Sequence, residues 1–117
     1  GYSRPAEGAD KKEFTGYSED LRSVGDFIYK YVSTQTRWQS PKFLVGESYG
    51  TTRAAGLSGY LQDRHGMYLN GIVLVSAVLN FQTIRPAAGN DLPYPLILPS
   101  FAAAAWYHGL LDKNRFP

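Results

Sequence analysis

The sequence predicts an α/β chain built on a parallel sheet, and three observations carry that prediction. Two apolar runs, Phe43-Leu44-Val45 and Gly71 to Leu79, are continuous rather than alternating, as strands buried on both faces must be. Between them Thr51 to His65 runs without proline and is rich in small residues, which suits a helix pressed on a sheet. Strand, helix and strand follow one another within about 40 residues, the span of one βαβ unit. Glycine and serine crowd the junction between the first strand and this helix, at Gly46-Glu47-Ser48-Tyr49-Gly50.

Taken in order, residues 1–16 are polar and turn-rich and read as a loop. From Tyr17 the apolar positions Leu21, Val24, Ile28, Tyr31 and Val32 recur at steps of three and four, one face of an amphipathic helix. Ser18 is the expected N-cap, and Glu19 and Asp20 suit the positive helix start. Gly25 costs up to ~1 kcal/mol in a helix interior. Gly66 is the natural residue to end the second helix. Beyond Asn80, Pro86, Pro93, Pro95 and Pro99 are expected to break regular structure. A short helix is expected at Ser100–His108, capped by Ser100 and closed by Gly109. The division expected is therefore a loop (1–16), a βαβ-containing core (17–85) and the start of a helical insertion (86–117).

Composition narrows the function. The 117 residues carry a net charge of +2 with no basic block, which argues against nucleic acid as a partner. No apolar run reaches the ~18–20 residues of a membrane span, and no membrane partner is expected. With no cysteine and 2 histidines, no metal site or disulfide is expected, and no cofactor is implied. Two parallel strands leave much apolar surface without a partner, because each strand wants neighbours on both sides. The chain opens on Gly1-Tyr2-Ser3 without Met, and it reads as a piece of something longer.

Gly46-x-Ser48-x-Gly50 is the nucleophile-elbow pattern of α/β-hydrolases, in which a serine stands at the tip of a strained strand-to-helix turn. Gly46 and Gly50 are expected to let strand and helix approach closely around that tip. The competing reading is an ordinary serine in a glycine-rich turn. The apolar run before the pattern and the proline-free stretch after it favour the elbow.

Gly46-Glu47-Ser48-Tyr49-Gly50 resembles the GESY-type elbow of the serine carboxypeptidase family. Gly1-Tyr2-Ser3 is similar to the end of that family's P-x-G-x-G-[FY]-S segment. Gly89-Asn90-Asp91-Leu92-Pro93-Tyr94-Pro95 and Trp106-Tyr107-His108-Gly109 resemble its bacterial branch. The resemblance implies a partial α/β-hydrolase fold, covering a central portion of a full-length member. It implies that Ser48 attacks a peptide carbonyl, that the Tyr49 backbone N–H is one oxyanion donor, and that Glu47 grips the substrate's C-terminal carboxylate. Such a grip requires a shared proton, because two like charges a few ångström apart cannot both stay ionised.

The resemblance further implies a second oxyanion donor upstream of Gly1 and a triad Asp and His downstream, so a peptide substrate and the rest of the chain are the partners expected. Export from the cytoplasm is expected by the same analogy. The chain departs from the eukaryotic G-H-Y-[VI]-P continuation, with Thr51-Thr52-Arg53-Ala54 in its place. An esterase or lipase, and a catalytically silent scaffold, are the alternatives. Ester substrates offer no carboxylate for Glu47 to hold, which favours the peptidase. The order Ser48, Asp91, His108 mimics a triad but is read as accidental, since no strand separates Asp91 from His108. His65 is read as a helix-end residue stabilised by the dipole, and Arg53 as a solvated helix position in preference to a partner for a carboxylate.

Overall fold

The structure, a computed structural model, describes residues 4–112, 114 and 115. The chain divides into two compact units, with the break between Leu79 and Asn80.

In the first unit a single turn of 3-10 helix at Lys11–Phe14 leads into α1 (Tyr17–Thr34). Then come β1 (Phe43–Glu47), α2 (Tyr49–His65) and β2 (Gly71–Val75). The expected mixed α/β chain with a parallel sheet is present in this coarse form. The two strands pair in parallel with Phe43 opposite Gly71 and Glu47 opposite Val75. The pairing is extended at its start by Asn70, whose N–H donates to the Lys42 carbonyl at 2.7 Å while its side-chain oxygen accepts from the Lys42 N–H at 2.8 Å. At its end the Ser48 N–H donates to the Val75 carbonyl at 3.0 Å.

The cap of α1 lies two residues before the one expected: Gly16 occupies the N-cap position and Ser18 lies inside the helix. α2 ends as expected, with Gly66 in the left-handed conformation at φ 60°. β2 is shorter than its apolar run. It stops at Val75, because β1 offers only Phe43–Glu47 to pair with and Ser76 turns the chain away at φ 52°.

α2 packs on one face of the sheet and against α1. The core is compact and centred on the later turns of α2. Leu57, Leu61, Met67 and Val32 are buried together, with Leu21, Val24, Ile28, Leu44 and Leu69 packed around them. Gly25 explains itself here. A Cβ at that position would press into the Tyr60 ring at 2.5 Å, so its absence lets α1 cross close to α2. The opposite face of the sheet is bare: Phe43 is 62% and Val45 73% exposed.

A second tie joins the helices near the end of α2. His65 Nε2 lies 3.0 Å from Asp26 Oδ1, and the Tyr60 hydroxyl donates to the same oxygen at 3.0 Å. The His65 ring stacks on Tyr29 with centroids 4.4 Å apart.

The second unit begins with a 3-10 turn at Phe81–Thr83, capped by the Asn80 side chain, and continues to α3 (Pro93–Tyr107). The Asn90 side-chain amide ties this region by donating to the carbonyls of Gln82 and Arg85 at 2.9 and 2.7 Å. α3 corrects the expectation that prolines break the segment and that Ser100 caps a shorter helix. Pro93 is the first helical residue and Pro95 the third, positions whose N–H groups have no intrahelical acceptor in any helix. Only Pro99 lies where a hydrogen bond is lost, and Ser100 is mid-helix. Gly109, at φ 70°, follows the helix as expected.

Leu61 is fully buried at the centre of the first unit. Leu61→Ala is expected to lower unfolding stability by about 2–4 kcal/mol, read from the shift of the urea midpoint at constant slope.

Candidate active site

Ser48 stands between the last residue of β1 and the first of α2, with φ 53° and ψ −120°. A non-glycine residue with positive φ outside the left-handed helical well is strained by about 1–3 kcal/mol. Its residue is exposed and its side chain makes no hydrogen bond to the helix it precedes. The sequence places a serine at a tight strand-to-helix turn, and the structure has it there.

The two glycines differ. A Cβ on Gly46 would drive into the Gly50 carbonyl and come within 2.8 Å of the Thr51 nitrogen, so the close approach depends on this residue. A Cβ on Gly50 would meet nothing within 4 Å. The expectation that both glycines permit the approach is corrected to Gly46 alone.

Tyr49 is the first residue of α2, where a backbone N–H has no intrahelical acceptor. The Ser48 N–H, in contrast, is consumed by Val75. Glu47 ends β1 with its residue exposed and no hydrogen bond or ion pair to the described residues. Ser76 occupies the position after β2 that Ser48 occupies after β1, with φ 52°, and is also exposed. In open α/β sheets ligands gather outside the carboxyl ends of the strands, which is where both serines lie.

Comparison with protein-family models, with curated proteins and with solved structures finds no match for this chain.

Two supports of the turn have partners that the sequence reading does not name. The first is Thr51, fully buried, whose hydroxyl donates to the Ser48 carbonyl at 2.7 Å and accepts from the Val78 N–H at 2.8 Å. Its neighbour Thr52 donates its hydroxyl to the Val78 carbonyl. The second is an ion pair between α1 and α2. Arg53 Nε and Nη2 donate to the two carboxylate oxygens of Asp20 at 2.7 and 2.8 Å. The Tyr49 hydroxyl donates to Asp20 Oδ2 at 3.2 Å, and the Arg53 guanidinium lies over the Tyr49 ring at 5.3 Å. Arg53 is therefore not the solvated helix position expected. Nothing in the sequence signals a pair 33 residues apart, and Asp20 reads equally well as a helix-start charge.

The hydrogen bond to Asp20 holds the Arg53 guanidinium protonated above its ordinary value. Partial burial first, then the Asp20 charge and its hydrogen bond, push the Tyr49 phenol above 10. A phenol whose value is raised on folding favours its neutral form, so its contribution is complete below pH 10 and is lost as pH rises through the raised value.

The histidines lie apart from the serine in chain terms. His65 is at the other end of α2, roughly 24 Å along the axis from Tyr49 by helical rise, and engages Asp26. Asp91 and His108 belong to the second unit, where His108 follows the last residue of α3.

Two outcomes test this geometry. Gly46→Ala is expected to destabilise the chain by about 2–4 kcal/mol in thermal unfolding, whereas Gly50→Ala stays within about 1 kcal/mol. In Asp20→Asn the Tyr49 phenol is expected to titrate closer to 10, as followed by NMR of the ring carbon bearing the hydroxyl.

Proposed function

We propose that this chain carries the nucleophile of a serine-type hydrolase of the α/β-hydrolase kind, acting as a carboxypeptidase on peptides. The observation that carries the proposal is the backbone of Ser48: an exposed serine held in a strained turn between a parallel strand and a helix. Strain of this kind persists only where surrounding structure imposes it, and it concentrates at reacting centres.

In this reading the Ser48 hydroxyl attacks the carbonyl of the C-terminal peptide bond, and its proton passes to a base. The carbonyl oxygen becomes an oxyanion, to which the Tyr49 N–H donates at the start of α2. Collapse expels the C-terminal amino acid, its nitrogen taking back the proton held by the base, and leaves an acyl ester on Ser48, which water then hydrolyses. Glu47, adjacent to the nucleophile and without an ion-pair partner among the described residues, holds the substrate's terminal carboxylate through a shared proton. On this reading the base is neither His65, occupied with Asp26 at the far end of α2, nor His108, which only α3 and no strand separates from Asp91. On this reading the bare face and free edges of the sheet pack against further strands and helices of the same protein.

The test is a fluorophosphonate probe applied to the full-length protein, followed by mapping of the labelled residue. Ser48 is expected to be labelled, and labelling is expected to vanish in Ser48→Ala; label retained by that variant defeats the assignment. For the peptidase, a blocked dipeptide with a free carboxylate is expected to be cleaved and its C-terminal amide to be spared. Glu47→Ala is expected to raise KM for the free-carboxylate peptide about tenfold or more, the worth of one charge-assisted hydrogen bond.

A further inference from the structure

We infer that Thr51 is a positioning residue for the Ser48 nucleophile, tying the Ser48 carbonyl to the Val78 backbone so that the serine is aimed against the strand-end segment carrying Ser76. The inference rests on the hydrolase reading of Ser48 and adds to it a residue that never touches substrate.

The geometry is a closed ring of hydrogen bonds. The Ser48 N–H donates to the Val75 carbonyl at 3.0 Å. Three residues further on, the Val78 N–H donates to the Thr51 hydroxyl oxygen at 2.8 Å, and the same hydroxyl donates to the Ser48 carbonyl at 2.7 Å. Both polar groups of the Ser48 backbone are thereby held by, or through, the segment that follows β2. Thr52 closes a second link to the Val78 carbonyl.

A threonine hydroxyl that bonds back to the carbonyl three residues earlier is ordinary inside a helix. Accepting at the same time from a backbone N–H 27 residues away is not, and it is the cross-link that matters. Thr51 is fully buried, so no water replaces the hydroxyl if it is removed. The two strained residues of this region, Ser48 at φ 53° and Ser76 at φ 52°, both lie on the ring. A strained turn relaxes unless something opposes it, and the Thr51 bridge is the element placed to do so. Relaxation would swing the hydroxyl of Ser48 relative to the Tyr49 N–H, and a displacement near 1 Å costs on the order of 100-fold in rate.

A threonine that merely satisfies a buried N–H would affect stability and leave the chemical step of the folded protein alone. The experiment separates the two. In the full-length protein Thr51→Val keeps the shape and removes the hydroxyl. With a blocked dipeptide at a temperature where the variant is folded, kcat is expected to fall by about 10- to 100-fold with KM within about twofold. Thr51→Ser, which keeps the hydroxyl, is expected to recover kcat to within about threefold of the unmodified protein.

An unchanged kcat in folded Thr51→Val, a loss that Thr51→Ser shares, or a rise in KM at constant kcat overturns the inference. If Thr51→Val does not fold, the Thr51→Ser and Thr51→Cys pair decides, because the two differ chiefly by oxygen against sulfur. A slower cysteine variant supports the bridge, and equal rates refute it. Unmodified protein that leaves the fluorophosphonate probe untouched defeats the hydrolase reading itself and the inference with it, whereas labelled Ser48 with an indifferent Thr51 defeats the inference alone.

Discussion

The Gly50 carbonyl lies where a side chain on residue 46 would be, and the rest of the first unit follows from that contact. With no Cβ in the way, α2 starts against the strand it has just left. The chain must then reverse in one residue, and that residue is Ser48 at φ 53°. Reversal at that point turns the start of α2 toward the carboxyl end of the sheet, with the Tyr49 N–H unpaired by the helix. It also sets α2 over β1 and β2, where Leu57 and Leu61 reach the core. One missing methyl group thus fixes both the exposure of the serine and the placing of the helix that buries the core.

The two ends of α2 carry different loads. Toward its C-terminus Leu61, Met67 and Val32 are sealed from water, and the apolar area they bury supplies stability. Toward its N-terminus the contacts are polar and directional: Thr51 to Ser48 and Val78, Arg53 to Asp20, Tyr49 to Asp20. The Arg53 side chain is 39% exposed, and ion pairs so wetted contribute at most about 1 kcal/mol. Their effect is orientation. A bidentate guanidinium–carboxylate pair fixes the relation of α1 to the first turn of α2 more tightly than its energy suggests. Strain at the serine end is therefore offset by burial several turns away, along the same rigid helix.

What the sequence discloses and what it hides divide along physical lines. β1, α2 and the cap at Gly66 are legible because apolar continuity, small-residue content and a left-handed glycine are local properties. The end of β2 is not, because a strand stops where its partner stops, and the apolar run through Leu79 carries no record of the five residues of β1. α3 is hidden for another reason. Proline is read as a breaker, yet two of its three prolines fall in the first turn, where the missing N–H is never used. At the site, Ser48 and Gly46 stand out by spacing, whereas Asp20 and Arg53, and Thr51 in its bond to Val78, act through partners about 30 residues distant. Thr51 enters the sequence reading as a departure from the G-H-Y-[VI]-P pattern and Arg53 as a solvated position preferred over a carboxylate partner, and in the structure both are bound into the turn.

The unpaired strand edges have a consequence for handling and for biosynthesis. Among the described residues, each strand of the two-stranded sheet has a neighbour on one side only, and one face carries exposed Phe43 and Val45. Neither edge is blunted by proline or a bulge, and Lys42 bends back to the carbonyls of Trp38 and Ser40 rather than guarding β1. Such a surface recruits identical copies into intermolecular sheets. In handling as during synthesis, such edges favour association through backbone pairing and make the chain a client for holdase chaperones.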